Sequence, residues 1–164
     1  MKVLVFGPSG SGKTYVSNAL REMGIPAFDA DRVIGLSSWY NKHGNKISEP
    51  MTAEEAINEQ YAFLWSRNFL SNFLRQHNDI FIFGGSGNIF DLIDLFDSVY
   101  FLKIDSQVQR ERIQNSNNRN KELDFKNEEL VIWGEWLEEK AREKNISFID
   151  GTLSPKEIYS IIST

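Results

Sequence analysis

The sequence predicts an α/β fold in three layers, a five-stranded parallel sheet with helices on both faces. Three observations carry this. Short apolar runs alternate with segments whose apolar residues recur at helical spacing. One run, residues 79–83, is continuously apolar after Asp79 and ends at Gly84-Gly85, as a central strand should. A glycine-rich loop joins the first run directly to the first helical segment. At 164 residues the chain is expected to form one domain, residues 1–164, with ample length for a core.

Residues 2–6 read as a short buried strand, and residues 14–22 as a helix stopped at Gly24. Residues 25–28 form a short second strand. Thr52 reads as an N-cap followed by Glu54 and Glu55 in the first turn. Ala56, Ile57, Tyr61, Leu64, Phe69, Leu70, Phe73 and Leu74 then recur at helical spacing. Residues 79–83, 98–103 and 145–149 supply the remaining strands. Asp105-Ser106 caps a helix carrying Val108 and Ile113, and residues 130–142 form another. Ser154-Pro155-Lys156-Glu157 places proline at the first position of a terminal helix. There is no internal repeat. The least regular stretches are residues 37–51 and 115–127, the second polar and without a core face.

Composition narrows the partners. Net charge is −5 with no block of basic residues, so no nucleic acid partner is expected. A small anionic ligand needs only a local positive site. Cysteine is absent, which excludes disulfides, thiolate metal sites and a cysteine nucleophile, and suits a reducing cytoplasm, the expected location. No apolar run approaches membrane-spanning length, and residues 3–6 are too short for a secretory signal, so no membrane partner is expected. The expected state is a monomer or homodimer. His43 and His77 are isolated and lack a partner at metal-ligand spacing.

The run Gly7-Pro8-Ser9-Gly10-Ser11-Gly12-Lys13-Thr14 fits G-x-x-x-x-G-K-[ST], the phosphate-binding loop. Strand, loop and helix in that order are the context the motif requires. Glycines let backbone N–H groups curl around an anion, and the following helix adds its dipole. Lys13 brings a charge to the β- and γ-phosphates, and the Thr14 hydroxyl is placed for Mg²⁺. Residues Gly7 to Thr14, with Tyr15, are thus the expected nucleotide contacts. A plain turn would need neither the lysine nor the hydroxyl.

Further candidates lie at the strand ends, where ligands bind in parallel sheets. Asp29 and Asp31 follow the second strand. One of the two suits the Mg²⁺ shell and the other suits a proton acceptor for an attacking hydroxyl. The plainer reading is that Asp31 N-caps a helix from Arg32. Gly84 and Gly85 would let a small acceptor approach the backbone. Residues 80–83 carry no acid after Asp79, which speaks against a hydrolytic motor. Arg110, Arg112 and Arg119 lead into the polar stretch, and an arginine there would stabilise a transferring phosphoryl group. Arg67, beside Trp65, and Trp39, in polar surroundings, are candidates for holding the acceptor. Tyr61, Trp65, Trp133 and Trp136 are expected to pack.

Together these residues resemble the nucleoside-monophosphate-kinase-like branch of phosphate-loop kinases, which includes shikimate kinase and adenylate kinase. The chain looks most like small bacterial members of that superfamily. The resemblance spans nearly the whole chain as an order of motifs, with only the phosphate loop highly specific. It implies that Asp29 serves Mg²⁺ and Asp31 positions the acceptor hydroxyl. It implies that Gly84-Gly85-Ser86-Gly87 partly matches an acceptor-contacting glycine triplet. Arg112 would stand at the start of a lid over about residues 115–127, with Arg119 as its catalytic arginine. Asp150, within residues 148–155, would line the adenine pocket. Residues 31–70 would form the acceptor region. The stretch Arg32 to Trp39 lacks both the shikimate and the adenylate kinase acceptor patterns, so no acceptor carries over. The expected activity is transfer of the ATP γ-phosphoryl group, with Mg²⁺, to a small nucleotide or hydroxylated metabolite. The alternatives are a nucleotide-binding regulatory protein and a simple nucleotide hydrolase.

Overall fold

The computed structural model describes residues 1–115 and 125–164. Its strands are β1 (Lys2–Phe6), β2 (Ala27–Asp29), β3 (Ser37–Tyr40), β4 (Lys46–Ile47), β5 (Ala62–Trp65), β6 (Ile80–Phe83), β7 (Ser98–Lys103) and β8 (Ser147–Asp150). Its helices are α1 (Lys13–Glu22), α2 (Ala53–Asn58), α3 (Arg67–Arg75), α4 (Ser106–Asn115), α5 (Asn127–Glu143) and α6 (Pro155–Ile162). Among the described residues no helix is long and apolar enough to cross a membrane.

The main sheet has the order β2-β6-β1-β7-β8, and every pairing in it is parallel. Its central strands are apolar at every core position because helices cover both faces. On one face Leu4, Phe6, Ile80, Ile82 and Phe101 pack with Leu70 and Leu74 of α3 and Leu137 and Ala141 of α5. On the other, Val3, Val5, Phe81, Phe83 and Leu102 pack with Val16 and Leu20 of α1 and Ile158 and Ile162 of α6. This is the three-layer α/β architecture that the sequence predicts. Successive strands fall first on one side of β1 and then on the other. The crevice at that switch lies at the carboxyl end of β1, where ligands bind in such sheets.

The structure differs from expectation between residues 37 and 75. The stretch 37–51 is not irregular, for β3 and β4 form an antiparallel hairpin. Asn41 closes its turn, its side-chain oxygen accepting from the backbone N–H groups of His43 and Asn45. Nor is there one helix from residue 52 to 74. Thr52 does cap α2, accepting from Glu55 N–H at 3.1 Å. The helix then stops at Gln60, which is left-handed at φ 57°. The Tyr61 N–H bonds back to the Ala56 carbonyl and the Gln60 N–H to Ile57, a Schellman ending without its usual glycine. The next apolar residues extend as β5 and pair with β3, and Ser66 caps α3.

The resulting three-stranded sheet, β4-β3-β5, is fastened to the turn after β6. Gly87 N–H donates to the Phe63 carbonyl at 2.8 Å. The Asn88 amide takes both backbone groups of Trp65, accepting from its N–H and donating to its carbonyl, each at 3.0 Å. Asn88 thus stands in for a neighbouring strand.

Candidate active site

The loop from Gly7 to Gly12 leaves the buried end of β1 and enters α1. Gly10 and Gly12 adopt φ values of 80° and 100°, which only glycine takes without strain. Gly12 caps α1 and brings no side chain to the first-turn N–H groups, the arrangement that suits an anion. Lys13 Nζ arches over the loop and donates to the Gly7 and Pro8 carbonyls at 2.8 and 2.7 Å. Thr14 lies on the first turn, its carbonyl accepting from Ser17 Oγ. Tyr15 points outward, with 69% of its surface exposed.

Three neighbours brace the loop. Arg112 Nη1 donates to the Gly10 and Ser11 carbonyls, both at 3.2 Å, and Nη2 reaches Gly151 O at 3.5 Å. Gly134 of α5 sits so close that a Cβ there would lie 2.7 Å from Pro8 Cβ. A Cβ at Gly151 would lie 3.1 Å from the Ser11 carbonyl oxygen. Asp150, just before it, accepts from the Thr152 hydroxyl and N–H at 2.7 and 2.9 Å. Those two bonds, with Arg112 nearby, hold its carboxyl below the usual range. Arg112 and the Asp150-Gly151 turn therefore flank the loop together.

On the other side, β6 separates β2 from β1, so Asp29 stands two strand spacings away, about 10 Å. The capping assignment moves. Asp29, not Asp31, caps a single 3-10 turn over Ala30–Arg32, accepting from Asp31 N–H at 3.1 Å. No helix starts from Arg32 because the chain turns back to extended at Val33. Asp29 is 4% exposed, and its Oδ2 is buried with no hydrogen-bond partner. Arg32 Nε lies 3.9 Å from it, beyond hydrogen-bonding reach. Asp31 itself is exposed.

The two glycines after β6 have different surroundings. A Cβ at Gly84 would lie 2.4 Å from Ala30 Cβ and 3.1 Å from Trp65 Cζ2, so packing by itself requires glycine here. Gly85 has nothing within 4 Å of that position. Arg67 is committed, its guanidinium bonding Asp94 and the Asp91 carbonyl. Arg110 pairs with Glu128, joining α4 to α5. Trp39 is half-buried beside Phe63 on the antiparallel sheet, with ring centroids 5.5 Å apart. Trp133 and Trp136 do not pack fully and are 38% and 40% exposed on α5. Arg119 lies outside the described residues, as does most of the expected lid. Sequence reasoning missed Gly134 and Asn88, since neither carries a motif and each acts through one long-range contact.

The fold is the phosphate-loop kinase fold of two solved structures. The AAA domain family model matches residues 3–134, and the chain belongs to that family. Deoxyadenosine kinase from M. mycoides, solved with bound dATP, is similar at 14% identity and a TM-score of 0.54, over 99% of this chain and 97% of that one. A gluconokinase from Sinorhizobium meliloti 1021 is similar at 17% identity and a TM-score of 0.54, over 97% and 87%. No curated protein matches the sequence.

Proposed function

We propose that this protein is a small-molecule kinase that transfers the γ-phosphoryl group of ATP to a bound acceptor. The observation that carries the reading is Asp29 Oδ2, a buried carboxylate oxygen without a hydrogen-bond partner at the strand end facing the phosphate loop. Leaving such an oxygen unsatisfied costs several kcal/mol if it stays charged, about 1–3 as a floor, so the site suits a hydrated cation. Thr14 and Asp29 would hold Mg²⁺, which when bound neutralises phosphate charge. Backbone N–H groups of the loop between Ser9 and Thr14 hold the β- and γ-phosphates, Pro8 having none to offer. Lys13 leaves the Gly7 and Pro8 carbonyls to follow charge onto the moving group. Arg112 and Asp150 line the base end. Asp31, exposed and two residues beyond Asp29, accepts the proton of an attacking hydroxyl. Where the acceptor is a phosphate, Asp31 only positions it. Arg119, outside the described residues, would stabilise the charge on the transferring phosphoryl group. The single domain divides into this donor half and an acceptor region over residues 31–70.

The test is ATP consumption against a panel of nucleosides, nucleotides, sugar acids and shikimate, with products read by mass. Acceptor-stimulated ADP and a phosphorylated acceptor are expected. Asp31→Asn should cut kcat by about 100-fold or more while leaving the ATP KM within about twofold. Unchanged turnover removes Asp31 as base. A nucleotide-binding regulatory protein is the second reading. It is favoured by the exposed Ile132, Trp133 and Trp136 on α5, the helix that touches Pro8. ATP binding with no acceptor-stimulated turnover across the panel would select it.

A further inference from the structure

The register of the small sheet puts an aromatic row on one face. Trp39 lies opposite Phe63 on one side and Ile47 on the other, while Ser37 lies opposite Trp65. Side chains two residues apart share a face, so Ser37, Trp39, Phe63 and Trp65 all belong to it. Trp65 is its buried end, against Gly84, whose N–H bonds the Val5 carbonyl just before the phosphate loop. The row therefore starts at the catalytic crevice and runs outward. At its outer part is a cavity of about 280 Å³, floored by Trp39, Phe63 and Ile47 and rimmed by Ser37, Lys46 and Glu49.

We propose that this cavity is the acceptor subsite, and that the acceptor is an aromatic heterocycle bearing a hydroxylated arm. The proposal rests on the kinase reading above. Three features fix the chemistry. The half-buried Trp39 offers a face for stacking, and a tilted Phe63 closes one side. Lys46 and Glu49 make no ion pair among the described residues and present one donor and one acceptor to the edge of a ring. The volume falls just under that of ligand pockets, roughly 300–1,000 Å³, which suits one ring system and excludes a polymer. Trp39 is one step along the strand from the Trp65 row, about 7 Å. The arm must span that step and the Trp65 ring to bring its hydroxyl to Asp31. A ring joined to a sugar or short polyol does so, whereas a lone small acid does not.

The experiment compares two sets of acceptors with Mg·ATP and mass detection of the product. One set has rings: adenosine, cytidine, guanosine, thymidine and pyridoxine. The other has none: gluconate and glycerol. Turnover in the ring set alone is expected. Trp39→Ala should then raise the KM of the best ring acceptor about 10-fold, the loss typical of one removed stack. The ATP KM should stay within about twofold, and Trp39→Phe should restore most of the acceptor affinity. Should Trp39→Ala fold poorly by circular dichroism, Lys46→Ala makes the same test from the exposed rim. Turnover in the ring-free set alone, or an acceptor KM indifferent to both substitutions, overturns the subsite and leaves the kinase reading standing. No transfer in either set, with ATP still bound, overturns both.

Discussion

At Gly84 a methyl group would meet Ala30 Cβ at 2.4 Å, while at Gly85, one residue on, it would meet nothing within 4 Å. The pair looks uniform in sequence, yet only the contact across β2 and β6 separates their roles. Gly84→Ala forces Ala30 and the Trp65 ring apart, and overpacking of that kind costs about 1–3 kcal/mol. A lower urea midpoint at unchanged slope is the expected result. Gly85→Ala should leave that midpoint in place. Because its Cβ projects into open space beside the acceptor crevice, a changed acceptor KM is the effect to look for. Equal destabilisation by both substitutions would contradict the packing described for this turn.

Elements were legible from sequence wherever propensity and caps agreed with tertiary packing. Thr52 and Ser154 cap the helices that follow them, and Ser154 adds a reciprocal bond with Glu157, whereas the Ser66 cap was hidden inside an unbroken helical spacing. The main-sheet strands were visible as apolar runs because burial on both faces demands such runs. The antiparallel sheet was not, because β4 spans only Lys46–Ile47 and α2 ends on a left-handed Gln60 where glycine would have signalled the stop. The Asn88 amide, with the Gly87 N–H on the Phe63 carbonyl and the buried Trp65 ring, holds that sheet to the domain. Asn88→Ala leaves the Trp65 N–H and carbonyl without their partners in a buried place, at about 1–3 kcal/mol. The Trp65 amide should then exchange with deuterium much faster, with the five-stranded sheet still protected. A second element contact depends on pH. Glu138 of α5 is partly desolvated, which alone would raise its pKa, but Lys103 at 2.9 Å and Arg142 at 2.8 Å hold it below its ordinary 4.5. A depressed carboxyl adds stability above its unfolded value, and that stability is lost as pH falls through the folded value. Glu138→Gln should therefore cost under about 1 kcal/mol at neutral pH. The gap between the two proteins should close as the solution is acidified below 4.5.

Across the whole molecule, the donor half of the site was readable because a phosphate loop is one contiguous segment. Of its supports, Arg112 and the Asp150-Gly151 turn were readable only through the order of motifs and Gly134 not at all, because they converge on it from α4, the turn after β8 and α5. Those supports make the loop a junction of both halves of the chain, so a nucleotide bound there should stabilise the entire fold. Free Mg·ATP at 100 times its dissociation constant adds about 2.7 kcal/mol. For a domain of this size that raises Tm by about 5–10 °C. Lys13→Ala removes the only lysine at the loop, together with its bonds to the Gly7 and Pro8 carbonyls. The Tm of the unliganded variant will therefore shift on its own account, and the increment caused by Mg·ATP is the quantity to compare. By differential scanning fluorimetry that increment should fall to near zero in Lys13→Ala and persist in Trp39→Ala, whose site is the other half of the crevice. An undiminished increment in Lys13→Ala would place the nucleotide somewhere other than the loop of residues 7–14.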